Sequence, residues 1–264
     1  METEYRISVV TVCLNDREGL RATIASVEES RLEGIQHVIK DGGSSDGTQE
    51  FLRALPAAAN RRWVSTADGG IYAGMNQALA LAEGEFVLML NSGDTLEAGT
   101  LQRWIDYLAA NPATDLICSN IRGKRVDGRS LVGRPPMAVR NPTLMPVWHQ
   151  AALLRRDLHE KFGFYREDYR MISDMIFYHK VFPHVRSVYL DFIAVQMSAG
   201  GISELNRYRQ FREFIRYLNE RRAPLTEHAR ISCKYLRWWF AAWRSKHFPG
   251  CGGDGSREKR TDRK

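Results

Sequence analysis

The sequence predicts an α/β protein, a Rossmann-like and mostly parallel sheet flanked by helices. Two observations in the first hundred residues carry this. Short apolar, β-branched runs alternate with stretches whose apolar residues recur at helical spacing. Each of these strands also ends on polar or glycine-rich residues, where an open parallel sheet presents its ligand crevice. A third observation is length: 264 residues suit one large α/β domain with an appendage.

The first strand is read over Arg6–Cys13 and ends in Leu14-Asn15-Asp16. A helix with Leu20, Ile24 and Val27 on one face follows, and either Asn15 or Asp16 can cap it. The second strand, Ile35–Ile39, runs into Lys40-Asp41-Gly42-Gly43-Ser44-Ser45-Asp46-Gly47-Thr48, and a short helix carries Phe51, Leu52 and Leu55. A third strand covers Arg62–Ser65. Asp68-Gly69-Gly70 then turns the chain into a helix with Ile71, Met75, Ala78, Leu79 and Ala82. The fourth strand, Phe86–Leu90, ends in Asn91-Ser92-Gly93-Asp94. Beyond it come a helix after Thr100, stopped by Asn111-Pro112, and a strand over Asp115–Ser119. The proline-bearing stretch from Gly123 to Pro146 is expected to be irregular or meandering. Two polar clusters lie past it, Trp148-His149-Gln150 and Tyr169–Asp174.

Composition narrows the function classes. No run approaches the ~18 apolar residues of a spanning helix, and Met1-Glu2-Thr3-Glu4 does not open a signal peptide. Cys13, Cys118, Cys233 and Cys251 are scattered, without metal-ligand spacing, which points to a reducing, cytoplasmic setting and no disulfide framework. The net charge of +7 is uneven: residues 201–264 hold 16 Lys and Arg against 7 Asp and Glu, so the remainder is slightly acidic. A basic tail alone is compatible with nucleic acid or an anionic membrane surface, or is simply a solvated helix face. Nucleic acid is set aside because nothing else in the chain supports it.

The candidate chemistry sits at the strand ends. A carboxylate just beyond a buried strand suits a hard cation and a phosphate, which makes Asp94 a candidate metal ligand; a turn or cap residue is the plainer alternative. Glycines in Asp41-Gly42-Gly43-Ser44 permit close backbone approach to a ligand, while Asp41 can accept bonds from a base or ribose. No Gly-x-Gly-x-x-Gly follows the first strand, and the chain has no Gly-x-x-x-x-Gly-Lys-Ser/Thr. Dinucleotide and P-loop folds are therefore disfavoured.

Several stretches together resemble the family 2 glycosyltransferases of GT-A fold, particularly those that build bacterial surface polysaccharides. They are Ser8-Val-Val-Thr-Val-Cys-Leu-Asn15, Asp41-Gly-Gly-Ser-Ser-Asp-Gly-Thr48, Ala67-Asp-Gly-Gly-Ile-Tyr-Ala-Gly-Met-Asn76 and Gly84-Glu-Phe-Val-Leu-Met-Leu-Asn-Ser-Gly-Asp94. His149-Gln150, Ile172-Ser-Asp174 and Gly200-Gly-Ile-Ser203 extend the likeness. The resemblance implies a GT-A catalytic domain over residues 1–203 and a nucleotide-sugar site made of Thr11, Asn15, Asp41, Asp68, Asn76, Ser92 and Asp94. Within it, Thr11 and Asp41 would hold the nucleobase, and Asp68 the uridine or the diphosphate side. Asn91–Asp94 stands where the family has its Asp-x-Asp metal motif, with Ser92 replacing its first Asp, so Asp94 would bear the main burden of Mg²⁺ or Mn²⁺. Asp174 matches the general base, with Ile176 where related enzymes often carry a second Asp; His149 and Gln150 would contact acceptor or phosphate. The implied activity is inverting, metal-dependent transfer from a nucleotide sugar, a UDP-sugar by family tendency, to a lipid-linked or polysaccharide acceptor. A non-catalytic nucleotide-sugar or glycan-binding module of the same fold is the alternative that Ser92 and Ile176 leave standing.

Residues 204–248 read as a basic helical extension and 249–264 as a disordered tail. Over 229–247, Ile231, Tyr235, Trp238, Trp239, Ala242 and Trp243 share a broad face, opposite Arg230, Lys234, Arg237 and Arg244. Such a helix either lies in a membrane interface, making the protein peripheral on the inner face, or packs on the catalytic domain.

Overall fold

The computed structural model describes residues 5–124, 130–139, 144–198 and 206–247. The expected disordered tail at 249–264, the Gly200–Ser203 stretch and parts of the Gly123–Pro146 segment lie outside these residues. The chain divides into two units, Met1–Glu213 and Phe214–Lys264.

In the first unit, β1 (Ile7–Cys13), α1 (Arg17–Glu28), β2 (Ile35–Asp41), α2 (Thr48–Ala54), β3 (Arg61–Ser65), α3 (Ile71–Leu79) and β4 (Phe86–Met89) alternate as the sequence predicts. There follow β5 (Thr95–Leu96), α4 (Thr100–Ala110), β6 (Leu116–Lys124), β7 (Ser130–Gly133), β8 (Ala152–Arg155), α5 (Asp157–Phe162), α6 (Ser173–Val181), β9 (Ser187–Met197) and α7 (Arg207–Glu220), the last of these reaching into the second unit. The sheet runs β3-β2-β1-β4-β8-β6-β9-β5, with β7 added on β6. Its first four strands are mutually parallel. Its second half is mixed: β8 is antiparallel to both β4 and β6, while β9 runs parallel to β6.

Every residue of β1 and β2 is buried, as expected of strands covered on both faces. Alternation then divides the core. Val10 and Val12 of β1 and Val87 and Met89 of β4 face one layer with Met75 and Ala78 of α3. Ile7, Val9, Phe86 and Leu88 face the other, with Trp104 and Leu108 of α4. α1 starts where Asp16, rather than Asn15, caps it: the Asp16 carboxylate accepts from the Gly19 N–H at 3.1 Å. β1, β3 and β4 depart from the expected bounds by one residue each, and two strands run further than expected, β2 extending to include Lys40 and Asp41, and β6 continuing to Lys124 to form a hairpin with β7.

The second unit is built on the remainder of α7 and on α8 (Leu225–His247). α7 ends with Arg222 at φ 52° and the Ala223 N–H donating to the Leu218 carbonyl at 2.9 Å, a reversal that frees Pro224 to start the next turn. Phe214 and Tyr235 pack with tilted rings, 6.3 Å between centres, and Leu218 and Ile231 are buried. Of the expected aromatic face of α8, Ile231 and Tyr235 are buried and Trp239 is half-buried, whereas Trp238 and Trp243 are 38% and 48% exposed; Phe240, outside that expected face, is 63% exposed.

Candidate active site

Parallel pairing brings the carboxyl ends of β1 to β4 to one edge of the sheet, Cys13 opposite Asp41 and Asp41 opposite Ser65. The loops leaving these ends are tied together by their own side chains. The Asn15 N–H donates to Ser44 Oγ at 2.7 Å, the Ser44 hydroxyl donates to Asp41, and Asn15 Oδ1 accepts from the Ser45 N–H at 2.8 Å. Asp41 also accepts from the Ser65 hydroxyl at 2.6 Å and the Ser44 N–H at 3.1 Å. Fully buried and so engaged, it fixes the shape of the β2 loop. Thr11 is likewise fully buried, its hydroxyl 2.9 Å from His37 Nε2. Burial pushes the His37 imidazole down to about 3, so it is neutral at physiological pH.

Asp68, half-buried, stands at the same edge. Its Oδ1 accepts from the Gly70 N–H at 2.9 Å, and Lys40 Nζ, almost wholly buried, lies 3.5 Å from its Oδ2. Glycine is required on two sides. A Cβ on Gly42 would sit 2.9 Å from Asp68 Oδ2, and one on Gly74 would sit 2.8 Å from the same atom. Asn76, expected in the nucleotide-sugar site, instead grips the Tyr165 backbone: its amide donates to the Tyr165 carbonyl at 2.9 Å and accepts from the Tyr165 N–H at 3.1 Å.

At the end of β4, Ser92 hangs from β1 by its N–H on the Val12 carbonyl, 3.1 Å away, and Gly93 adopts φ 87°. Asp94 is buried. Its Oδ1 accepts from the Ser198 N–H at 3.0 Å, and burial pushes its carboxyl up to about 6. In the same turn Asn91 Oδ1 is buried without a hydrogen-bond partner. A raised carboxyl and an orphaned amide oxygen are an oxygen-donor set that a hard cation would satisfy. No group of three or more Asp, Glu, His or Cys able to hold a metal occurs among the described residues. Two oxygens alone leave most of a cation's coordination to other ligands.

The later polar clusters converge. His149 and Gln150 lie in a single 3-10 turn, His149–Ala151, leading into β8, and Asp174 lies in the first turn of α6. His149 Nδ1 is 3.0 Å from Asp174 Oδ2, and the Tyr72 hydroxyl donates to Asp174 Oδ1 at 2.8 Å. Burial alone would raise the Asp174 carboxyl. The bonds from His149, Tyr72 and the Met175 N–H outweigh it and hold the group below the usual carboxylate range. The segment before α6 is pinned by Glu213, whose two oxygens accept the N–H groups of Arg170 and Met171 at 2.8 Å each. Gln150 is buried beside His149. Sequence reasoning gave no individual role to Lys40, Tyr72, Asn91 or Glu213, although the first three stand in stretches it singled out.

The mixed sheet flanked by helices defines an α/β protein of GT-A type. Residues 8–163 match the family model described as glycosyl transferase family 2, and the chain belongs to that family. It is 32% identical over 184 residues to an uncharacterized glycosyltransferase of Mycobacterium tuberculosis, covering 67% of this chain and 69% of that protein. It is 26% identical over 205 residues to a Mycobacterium bovis PGL/p-HBAD biosynthesis glycosyltransferase, covering 74% and 78%. Among solved structures, S. aureus TarS 1-349 in complex with UDP-GlcNAc aligns with TM-score 0.63 at 20% identity, over 74% of this chain and 59% of that one. The mannosyltransferase PcManGT from Pyrobaculum calidifontis, in complex with GDP-Man and Mn²⁺, aligns with TM-score 0.63 at 17% identity, over 86% and 69%. The protein is thus a glycosyltransferase by family, and the solved neighbours share its fold.

Proposed function

We propose that this family 2 glycosyltransferase moves a sugar, with inversion, from a nucleotide-sugar donor to a hydroxyl of a lipid-linked or polysaccharide acceptor. The observation that carries this reading is the link from the Asp68 loop to the His149–Asp174 pair, made by Tyr72 in the first turn of α3, whose hydroxyl donates to Asp174. The donor's nucleoside end is assigned to the wall formed by Thr11, Asn15, Asp41 and Asp68. Thr11 and Asp41 act there by shaping the wall, since both are buried and already bonded. Ser92, Asp94 and Asn91 take the diphosphate side, and Asn76 supports the site from behind by holding Tyr165.

Mg²⁺ or Mn²⁺, held by Asp94 and Asn91, would supply Lewis-acid neutralisation of the leaving diphosphate. The Mn²⁺ in the PcManGT complex supports that assignment. Asp174 supplies the negative charge that drives removal of the acceptor proton, an effect worth roughly 10²–10⁴-fold in rate. His149 and Gln150 border the acceptor side. UDP-linked donors are favoured by family tendency, and the TarS complex with UDP-GlcNAc is in keeping with it.

Trp238, Phe240 and Trp243, exposed on a helix that also carries Arg230, Lys234 and Arg237, support peripheral contact with an anionic membrane surface, on the cytoplasmic side. Among the described residues no helix is long and apolar enough to cross a membrane.

The purified protein, incubated with a panel of nucleotide sugars and Mn²⁺, should release the nucleoside diphosphate of one of them and stop in EDTA. Full turnover in EDTA would remove the metal from the reading. Retained anomeric configuration in the product would remove inversion.

A further inference from the structure

Arg170 has a fixed main chain and an unengaged side chain. The N–H groups of Arg170 and Met171 both donate to Glu213, and the flanking Tyr169 and Met171 are buried. The Arg170 side chain is half-buried and reaches the loop that follows β3. A Cβ on Gly70 would overlap Arg170 Nη1 and fall 2.9 Å from its Cζ, so the guanidinium lies directly on the Gly70 backbone. The Gly70 N–H in turn donates to Asp68. Yet the guanidinium makes no hydrogen bond or ion pair among the described residues. A guanidinium carries five N–H donors and a permanent charge. Half removed from water and without an acceptor, it has room for an anion.

Its position says which anion. Arg170 comes four residues before Asp174, and Tyr72, two residues after Gly70, donates to Asp174 at 2.8 Å. In a nucleotide sugar the diphosphate lies between the nucleoside and the anomeric carbon. With the nucleoside against the Asp68 wall and the acceptor beside Asp174, a guanidinium that spans these two segments lies along the diphosphate's path. The edge otherwise presents carboxylates, Asp41, Asp68, Asp94 and Asp174. Lys40, the cation buried among them, is engaged by Asp68 and by the carbonyls of Asp41 and Thr66. An incoming diphosphate therefore needs positive charge, and Asp94 and Asn91 offer a metal only two protein oxygens.

We infer that the Arg170 guanidinium binds the donor's diphosphate, a fixed cation that acts alongside the metal and also without it. The inference rests on the glycosyl-transfer reading above and names a further binding residue within it. The planar fork of the guanidinium suits two phosphate oxygens at once. Glu213 is a positioning residue, aiming the fork by holding the Arg170 backbone.

The test titrates the full chain with UDP, GDP, CDP, ADP and dTDP, and with the matching nucleosides, in EDTA and in Mn²⁺. In EDTA the wild type should bind one of these diphosphates at least about tenfold more tightly than its nucleoside. Arg170→Gln and Arg170→Met keep part of the stem without the charge. Both should weaken that diphosphate about tenfold or more and leave its nucleoside within about twofold. Diphosphate binding within about twofold of wild type in both variants overturns the inference. So does an equal loss for diphosphate and nucleoside, which would place Arg170 in the nucleoside wall or the fold. A wild type that prefers the diphosphate in Mn²⁺ and not in EDTA assigns it to the metal alone, and overturns the inference too. Wild-type protein that binds none of the five diphosphates in Mn²⁺ overturns the transfer reading itself.

Discussion

Lys40 Nζ, shut off from solvent, stands 3.5 Å from Asp68 Oδ2 while also donating to the carbonyls of Asp41 and Thr66 at 2.8 and 2.5 Å. One cation thus joins the ends of β2 and β3 to the acidic residue of the next loop. Removing it leaves a carboxylate and two carbonyls facing a low-dielectric space. Lys40→Met should therefore cost about 3 kcal/mol of stability. Adding Asp68→Asn should recover part of that loss but none of the donor affinity. Urea melts of the single and double variants, with nucleotide titrations alongside, check both statements.

Asp94 gives a pH signature. Its carboxyl is pushed up to about 6 in the fold, against about 3.9 in an unfolded chain. The folded state therefore holds its proton more tightly, and stability falls as pH rises from about 4 through 6. The full penalty is present above 6. Asp94→Asn removes it: in EDTA the variant should be about 1–3 kcal/mol more stable than wild type at pH 7.5 and little different at pH 4. Sugar transfer by the same variant should be lost. Equal stabilities at pH 7.5, read from denaturant melts, would contradict the burial argument.

Gly42 and Gly74 flank Asp68 so closely that any side chain must displace its carboxylate. Neither position needs a left-handed backbone, so Gly42→Ala should fold. Its donor affinity should fall about tenfold, on the order of 1.4 kcal/mol. Calorimetric titration with the nucleoside diphosphate measures this directly.

For the second unit, replacing Trp238, Phe240 and Trp243 together by Ser should leave the chain folded with a modest fall in melting temperature, because the three rings are 38%, 63% and 48% exposed. Flotation with anionic liposomes should be lost. Wild-type flotation should itself weaken with salt, since each basic residue near such a surface contributes roughly 1 kcal/mol and is screened. A wild-type chain that does not float ends the membrane assignment.

Much of the parallel half was legible because its signals are local. Apolar runs such as Ile7–Cys13 and Phe86–Met89 are each closed by polar residues at the strand end. The mixed half was not. β8 is four residues, Ala-Leu-Leu-Arg, and β5 only two, and both are strands because of what they pair with. α6 is covered on most sides, with only Lys180 exposed and Ser173 and His179 buried among its apolar residues, so it shows no helical stripe. The site follows the same rule. Asp68, Asp94 and Asp174 stand in recognisable motifs, whereas the pairing of Asp174 with His149 and Tyr72 comes from tertiary contacts at large sequence separation. Asn76 shows the converse, a motif residue whose amide is spent on a backbone.

The placing of β8 between β4 and β6 has a consequence for how the chain is made. When the ribosome has released the first hundred residues, β4 is paired on one side only, with β1. Its other edge, Phe86-Val87-Leu88, waits for Leu153, Leu154 and Arg155, which are synthesised much later. Until then an apolar strand offers unpaired N–H and carbonyl groups to any neighbour, the arrangement from which nascent chains aggregate. Expression at low temperature, or with chaperones that shield such edges, should raise the yield of folded protein. A fragment ending before Ala152 should be insoluble even though it holds the Asp68 and Asp94 loops.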